Sequence, residues 1–127
     1  MLDAVGVVVA DMAATLQFYR MVGLEIPDSQ DKDAHVEVEL RGGMRLMFDT
    51  EELLTSINPD WSAGDGPGRI SLAFLCDGPD DVDHAHHQVV DAGYASVKAP
   101  FDAFWGQRYA TVLDPDGNSV DLFAPAE

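Results

Sequence analysis

Residues Phe101–Phe123 read FDAFWGQRYATVLDPDGNSVDLF. Arg108–Leu113 and Val120–Phe123 are short apolar-rich runs, which predicts two β-strands. The intervening DPDG predicts a turn, because Pro and Gly provide the backbone angles that a turn needs. The stretch therefore predicts a β-hairpin with much aromatic surface close to a loop. Three aromatic residues stand just ahead of it: Phe101, Phe104 and Trp105.

This hairpin ends the second of two similar halves. In the first half, the apolar run Val5–Ala10 predicts a buried strand, and Asp11 can cap a helix that Gly23 ends. In the second half, the run Ile70–Cys76 precedes a helix that ends at Gly93. A long period that occurs twice predicts an α+β fold of two βαβββ modules. We place module one at 1–49, a linker at 50–68 and module two at 69–127 of one domain.

The two modules also match at their last strands. Gly42 and Gly117 align at an offset of 75 residues, the difference between 117 and 42. With this offset, three apolar residues of module one share a face that corresponds to the face of Asp121 and Phe123 in module two. The three residues are Met44, Leu46 and Phe48.

The composition bounds the class of protein. Hydrophobic residues make up 46% and charged residues 24% of the 127, which is typical of a globular domain. No apolar run approaches the roughly 20 residues of a membrane helix, and no signal peptide is visible. A single cysteine, Cys76, excludes an internal disulfide and a thiolate-rich metal site. We therefore expect a cytoplasmic protein without a membrane partner.

The charge is strongly acidic. Twenty-three Asp and Glu residues against seven Lys and Arg residues give a formal net charge of −16. Such a field repels phosphate backbones, so nucleic acid is not an expected partner. It favours the approach of cations, although solubility or a salt-tolerant host is the simpler explanation.

Several short motifs connect the sequence with a known family. They are VAD (9–11), FYR (18–20) and GL (23–24) in the first half, and WGQRY (105–109) and DPDGNSVDL (114–122) in the second. With these motifs the chain resembles the vicinal oxygen chelate superfamily, which includes glyoxalase I, extradiol dioxygenases, fosfomycin-resistance enzymes and bleomycin- and mitomycin-binding resistance proteins. The resemblance implies a curled sheet that forms a cup, usually completed in a homodimer. Because the fold hosts both enzymes and binding proteins, it does not determine the function.

The resemblance also implies four positions at which metal-dependent relatives carry ligands. In this chain those positions hold Ala4, Leu46, a residue among Arg69, Ile70 and Ser71, and Asp121. A divalent cation needs three or four N, O or S donors, and only the last residue is a plausible ligand. We therefore predict no metal and no cofactor at the family site.

Other groups that could support chemistry have simpler interpretations. His84 and His87 share a helix face with Asp91 and could bind Zn²⁺ adventitiously, although a solvated polar face is the simpler interpretation. His35 is predicted to be exposed, and Cys76 to be a core residue. No Ser-His-Asp or Cys-His set is apparent, so no catalytic residue is predicted.

The aromatic residues favour a binding function. Gly106 lacks a side chain beside Trp105, which leaves one face of the indole accessible. In the drug-binding relatives, a similar Trp-Gly pair precedes this strand, and the indole ring of its Trp stacks on the ligand. Asp121 either contacts the ligand or pairs internally with Arg108 or Tyr109, and Trp61 either packs or lies at the rim. The predicted ligand-binding residues are Trp105, Phe104, Phe101, Tyr109, Asp121, Phe123, Met44, Leu46, Phe48 and Trp61.

The predicted function is sequestration without a metal. The ligand would be a planar, cationic, antibiotic-like molecule, held at the interface of a homodimer as in bleomycin- and mitomycin-resistance proteins. One alternative is a glyoxalase-like lyase or isomerase, or a dioxygenase, with a metal site that the sequence does not reveal. Another is an interaction or structural domain with a vestigial cup.

Overall fold

A computed structural model describes residues 1–65 and 68–127. The described residues form two compact units, one of residues 1–20 and 24–65 and the other of residues 21–23 and 68–127. The helices and strands are β1 (Ala4–Val9), α1 (Met12–Met21), a 3-10 helix (Asp28–Gln30), β2 (His35–Glu39), β3 (Arg45–Thr50), α2 (Glu51–Ile57), β4 (Ser71–Leu75), α3 (Pro79–Asp91), β5 (Ser96–Ala103), β6 (Gln107–Leu113) and β7 (Ser119–Pro125).

Each unit contains one mixed sheet, which confirms the predicted α+β class. The first sheet has the order β1-β3-β2, with β1 parallel and β2 antiparallel to β3. The second has the order β4-β7-β6-β5, with β4 parallel to β7 and the other pairs antiparallel. The second unit is a complete βαβββ module.

The first unit departs from the predicted module, because its described residues form three strands instead of four. The guanidinium of Arg20 donates to the backbone carbonyls of Ile26 at 2.7 Å and Pro27 at 3.0 Å. It also donates to the Asp31 carboxylate at 2.6 Å. A side chain therefore satisfies these two carbonyls in a segment that forms no strand, and a 3-10 helix follows at Asp28–Gln30.

The predicted helix signals are confirmed. The backbone N–H of Ala14 donates to the Asp11 carboxylate at 3.1 Å, which is an N-cap bond. Gly23 and Gly93 follow the two long helices with φ of 115° and 100°, a region that favours glycine. A further short helix, α2, spans Glu51–Ile57 in the segment that was predicted as a linker. Across residues 1–65 and 68–127, no helix has both the length and the apolar character to cross a bilayer.

The two units have separate sets of fully buried side chains. In the first unit, Tyr19 and Phe48 are 0% exposed, and their ring centroids lie 5.0 Å apart. In the second unit, α3 packs on its sheet through Val82 and Val89. The sheet residues on that side are 0% exposed: Ala110, Val112, Val120, Leu122 and Ala124.

The predicted offset between β3 and β7 is wrong by one residue, which reverses the predicted inward and outward faces of β3. Leu46 and Phe48 are 3% and 0% exposed and lie in the core of the first unit, so they do not wall a pocket. Met47 is partly exposed on the opposite face, as Asp121 is on β7. Gly42 and Gly43 are adjacent in the sequence, so either of them could be aligned with Gly117. Both have a φ of 87° in the structure. The correct offset is 74, from 43 to 117, and a slip of one residue exchanges the two faces of a strand.

Candidate ligand-binding site

A row of aromatic rings crosses the sheet of the second unit. Phe101 on β5 pairs with Tyr109 on β6, which pairs with Phe123 on β7. Directly paired residues point to the same face of a sheet. The centroids lie 6.4 Å apart for Phe101 and Tyr109, and 6.2 Å apart for Tyr109 and Phe123. The neighbouring residue Arg108 ion-pairs with Asp83 of α3, so the ring row lies on the face away from that helix.

The turn between β5 and β6 adds an indole and a phenyl ring to this row. Trp105 lies 5.4 Å from Tyr109 and 6.2 Å from Phe101, in edge-to-face geometry. Its Nε1 donates to Gln107 Oε1 at 2.8 Å, which holds the ring while leaving it 49% exposed. Phe104 contacts Trp105 at 5.0 Å and is 96% exposed. We call these five residues the ring cluster: Phe101, Phe104, Trp105, Tyr109 and Phe123.

One carboxylate lies beside the ring cluster and is held by three hydroxyl groups. Asp121 accepts hydrogen bonds from Tyr109 Oη at 2.6 Å, Thr111 Oγ1 at 2.8 Å and Ser71 Oγ at 3.4 Å. Of the two predicted neighbours, Tyr109 is the partner. The guanidinium of Arg108 binds Asp83 and Asp102 instead. A carboxylate accepts about four hydrogen bonds, so Asp121 retains room for one more donor.

Tyr109 acts as a hydrogen-bond donor in this arrangement. Burial, followed by its hydrogen bond to Asp121, raises the pKa of the phenol to about 12. The phenol therefore keeps its proton at neutral pH and cannot serve as a base there. Its role is to orient the carboxylate beside the rings.

A lysine covers one end of the ring row. The ammonium of Lys98 lies 5.1 Å from the centroid of Phe101, which is cation–π distance. A cationic ligand would be repelled at this end and attracted at the other, where Asp121 lies. The exposed rings of the ring cluster are Phe104 and Trp105, at 96% and 49% exposure.

Two residues of this site, Thr111 and Lys98, were not predicted, and Ser71 was considered only as one of three candidates for a family metal position. Thr111 stands two positions after Tyr109, so strand alternation places both side chains on one face, a signal that was available. The other two come from β4 and β5 and approach the site only through the pairing of four strands.

Two further predictions are clarified by the structure. Cys76 follows β4 and is partly buried, so it is not the core residue that was predicted, and burial raises the pKa of its thiol. On α3, His86 shares a hydrogen bond with Ser96 Oγ at 2.7 Å, whereas His84 and His87 are exposed. In residues 1–65 and 68–127, no three His, Cys, Asp or Glu side chains are grouped to hold a metal ion.

The residue types at the family's metal positions do not fit a metal ion. With the corrected register, Met47 replaces Leu46 at the position on β3, and its thioether is a poor ligand for Zn²⁺, Mn²⁺ or Fe²⁺. Ala4 has no donor atom. The Ser71 hydroxyl already donates to Asp121, which is the one carboxylate among these positions.

A charged network crosses the sheet of the first unit. His35 contacts Asp49 through Nδ1, and Glu37 through Nε2 at 2.7 Å. The Arg45 guanidinium binds Glu37 at 2.5 Å and Asp3 at 2.7 Å. The prediction of an exposed His35 holds, since its side chain is 41% exposed. Its hydrogen bonds to Glu37 and Asp49 raise its pKa.

This network predicts a pH dependence of stability. The pKa of His35 is higher in the folded protein than in the unfolded chain. The stabilisation by His35 is therefore complete below the unfolded-state pKa of about 6.5 and is lost as pH rises through the folded-state pKa. We expect His35→Gln to remove this loss of stability, which sets in as pH rises above about 6.5. Solvent screening keeps the slope well below the ~1.4 kcal/mol per pH unit of one full proton.

Urea unfolding of the wild type and the variant across this pH range measures the difference. His86→Gln is the matched control, because burial lowers the pKa of His86 and its contribution therefore has the opposite sign. A wild-type slope that persists in His35→Gln would contradict this assignment.

The sequence matches the family model of the glyoxalase/bleomycin resistance protein/dioxygenase superfamily over residues 1–122. The chain belongs to this superfamily. Uncharacterized proteins of Mycobacterium tuberculosis and Mycobacterium bovis are 30% identical to this superfamily member over 126 residues. The match covers 93% of the chain and 71% and 79% of those proteins, respectively.

Solved structures share the fold of this superfamily member. A hypothetical protein from S. aureus has a TM-score of 0.78 at 19% identity, with 98% of this chain and 92% of that chain covered. A glyoxalase/bleomycin resistance protein/dioxygenase family enzyme from Burkholderia phytofirmans has a TM-score of 0.75 at 23% identity, with 98% of both chains covered. At these identities the similarity shows the fold alone.

Proposed function

We propose that this superfamily member is a metal-free small-molecule binding protein of the bleomycin- and mitomycin-resistance type. It holds a planar, cationic, antibiotic-like molecule on the ring cluster and so sequesters it. The observation that carries the proposal is a half-exposed indole, Trp105, next to a row of rings and a carboxylate with room for one more donor.

The physical roles follow from the contacts. The flat ligand stacks on the free face of Trp105, and an aromatic pair contributes about 1 kcal/mol beyond area burial. Its cationic or N–H group donates to Asp121, which Tyr109 and Thr111 hold in place. Lys98, above Phe101, disfavours the reversed orientation of the ligand.

The proposal includes a homodimer that completes each site and shields the exposed rings. Phe104, at 96% exposure, is the residue for which such shielding matters most. Sedimentation analysis with and without ligand tests this part. A monomer that binds ligand with full affinity would remove the dimer from the proposal while leaving the binding role.

The direct test is a titration with a panel of planar antibiotics, including bleomycin- and mitomycin-type compounds and flat aromatic cations. We expect a saturable change in tryptophan fluorescence and a higher melting temperature for at least one class. Unchanged emission and melting temperature across the panel would contradict the proposal. Metal analysis of dialysed protein and an assay with glutathione and methylglyoxal test the rival assignment to a glyoxalase-like enzyme.

A further inference from the structure

Beside the row of rings, a second row of side chains crosses the same face of the sheet in the second unit. Asp121 on β7 pairs with Thr111 on β6, which pairs with Lys98 on β5. Thr111 and Tyr109 are two positions apart on β6, so both side chains point to the face that carries the rings. The Thr111 hydroxyl donates to Asp121 at 2.8 Å. We call Asp121, Thr111 and Lys98 the polar row.

An irregularity in β5 places Lys98 on this face. Lys98 and Phe101 are three positions apart on β5, whereas their partners Thr111 and Tyr109 are two positions apart on β6. In a regular strand, residues three apart point to opposite faces. Here the register shift adds one residue to β5, and the ammonium of Lys98 lies 5.1 Å from the centroid of the Phe101 ring. A β-bulge of this kind re-aims a side chain and is frequent next to functional sites.

The ammonium of Lys98 is accessible to a ligand. The residue is exposed, and within residues 1–65 and 68–127 it forms no ion pair. Arg108 on the neighbouring strand, by contrast, binds Asp83 and Asp102. The chain has 23 Asp and Glu residues, but the bulge turns this cation toward a ring instead of toward a carboxylate. Its N–H groups can therefore donate to a carboxylate of a ligand.

The polar row has opposite charges at its two ends. Asp121 carries its carboxylate on β7 and Lys98 its ammonium on β5, with β6 between them. Neighbouring strands are about 4.8 Å apart, so the backbones of these two residues are separated by about 10 Å. A flat molecule of two fused aromatic rings, with one substituent at each end, has a similar length.

We propose that the site selects planar ligands that carry a cationic N–H donor at one end and a carboxylate at the other. The ring cluster supports the flat body, Asp121 accepts hydrogen bonds from the cationic end, and Lys98 binds the carboxylate. Lys98 is then the residue that determines this specificity. The inference rests on the ring cluster as the platform of the proposed function, and it adds the second charge of the ligand.

Three ligands with one naphthalene body separate the two charges. 6-Amidino-2-naphthoate carries both, 2-naphthamidine only the cation and 2-naphthoate only the anion. Isothermal titration calorimetry at constant ionic strength measures their affinities for the wild type. On a protein with a net charge of −16, an added carboxylate generally weakens binding. We expect the opposite here, with 6-amidino-2-naphthoate binding at least fivefold more tightly than either ligand with a single charge.

Lys98→Met removes the ammonium and retains a side chain of similar length. We expect this variant to bind 6-amidino-2-naphthoate at least fivefold more weakly, and 2-naphthamidine as tightly as the wild type or more so, because the ammonium repels that cation. Lys98→Arg is expected to keep the preference for the ligand with both charges. Lys32→Met is the matched control. It removes the same charge from an exposed position in the first unit, and each affinity should change less than twofold.

The inference is overturned if the wild type binds 6-amidino-2-naphthoate no more tightly than 2-naphthamidine, or does not bind it at all. Equal weakening of both ligands in Lys98→Met would overturn it as well, because a purely structural role of Lys98 affects both. Each of these results leaves the proposed function standing if a planar antibiotic still binds at Trp105. If no antibiotic of the panel binds, but the preference is present and Lys98→Met removes it, the proposed function alone is rejected.

Discussion

Phe48→Ala is expected to destabilise the protein by about 3–5 kcal/mol, whereas Met47→Ala is expected to cost about 1 kcal/mol or less. Phe48 is 0% exposed and packs against the ring of Tyr19 at 5.0 Å, so its truncation leaves a cavity that the core cannot fill. Met47 is the adjacent residue on the opposite, partly exposed face of β3. The pair therefore tests which face of this strand is the core face.

Urea unfolding monitored by circular dichroism measures both free energies. A loss of 3–5 kcal/mol is a large part of the ~5–15 kcal/mol that stabilises a typical domain, so Phe48→Ala is best measured at low temperature with a stabilising osmolyte. Leu46→Ala, at 3% exposure, should resemble Phe48→Ala in direction. If Met47→Ala costs as much as Phe48→Ala, the register assigned to β3 is wrong.

Trp105→Ala is expected to lower the affinity for a ligand identified from the antibiotic panel by about tenfold to a hundredfold, or roughly 1.4–2.8 kcal/mol. The indole contributes both stacking and buried apolar area, and its loss removes the largest ring of the ring cluster. Trp105→Phe should lie between the wild type and the alanine variant. Isothermal titration calorimetry measures all three without a tryptophan signal.

Two controls give this prediction its specificity. Trp61→Phe changes the other tryptophan, in the other unit, and should leave the affinity for the panel ligand within about twofold of the wild type. Asp121→Asn should weaken cationic ligands more than neutral planar ones, because it removes the charge but retains an acceptor. Equal affinity of wild type and Trp105→Ala would mean that the ring cluster is not the binding surface.

Much of the fold was predictable because it follows from local rules. Asp11 and Gly23 mark the ends of α1 through a cap bond and a positive φ, both of which depend on the residue type alone. The strand Arg45–Thr50 was likewise predictable from its residues. The buried face of this strand was not predictable, because two adjacent glycines allow two alignments that differ by one residue. Only packing of Phe48 against Tyr19 selects between them.

The missing fourth strand of the first unit shows the same limit. The predicted βαβββ repeat implied four strands in each module, but the segment after α1 forms no strand. Arg20, six residues before Ile26, donates to backbone carbonyls of this segment in the folded protein. This contact between residues six apart satisfies carbonyls of a segment that forms no strand.

By itself, the sequence determined the α+β class, the repeat of strand and helix, and the presence of aromatic residues beside a turn, since each depends on neighbours along the chain. Only the tertiary structure decided that Tyr109, Thr111 and Ser71 hold Asp121, and that Glu37 and Asp49 flank His35. The physical reason is that hydrogen bonds between side chains require register and distance within about 3.5 Å, and strand pairing sets both.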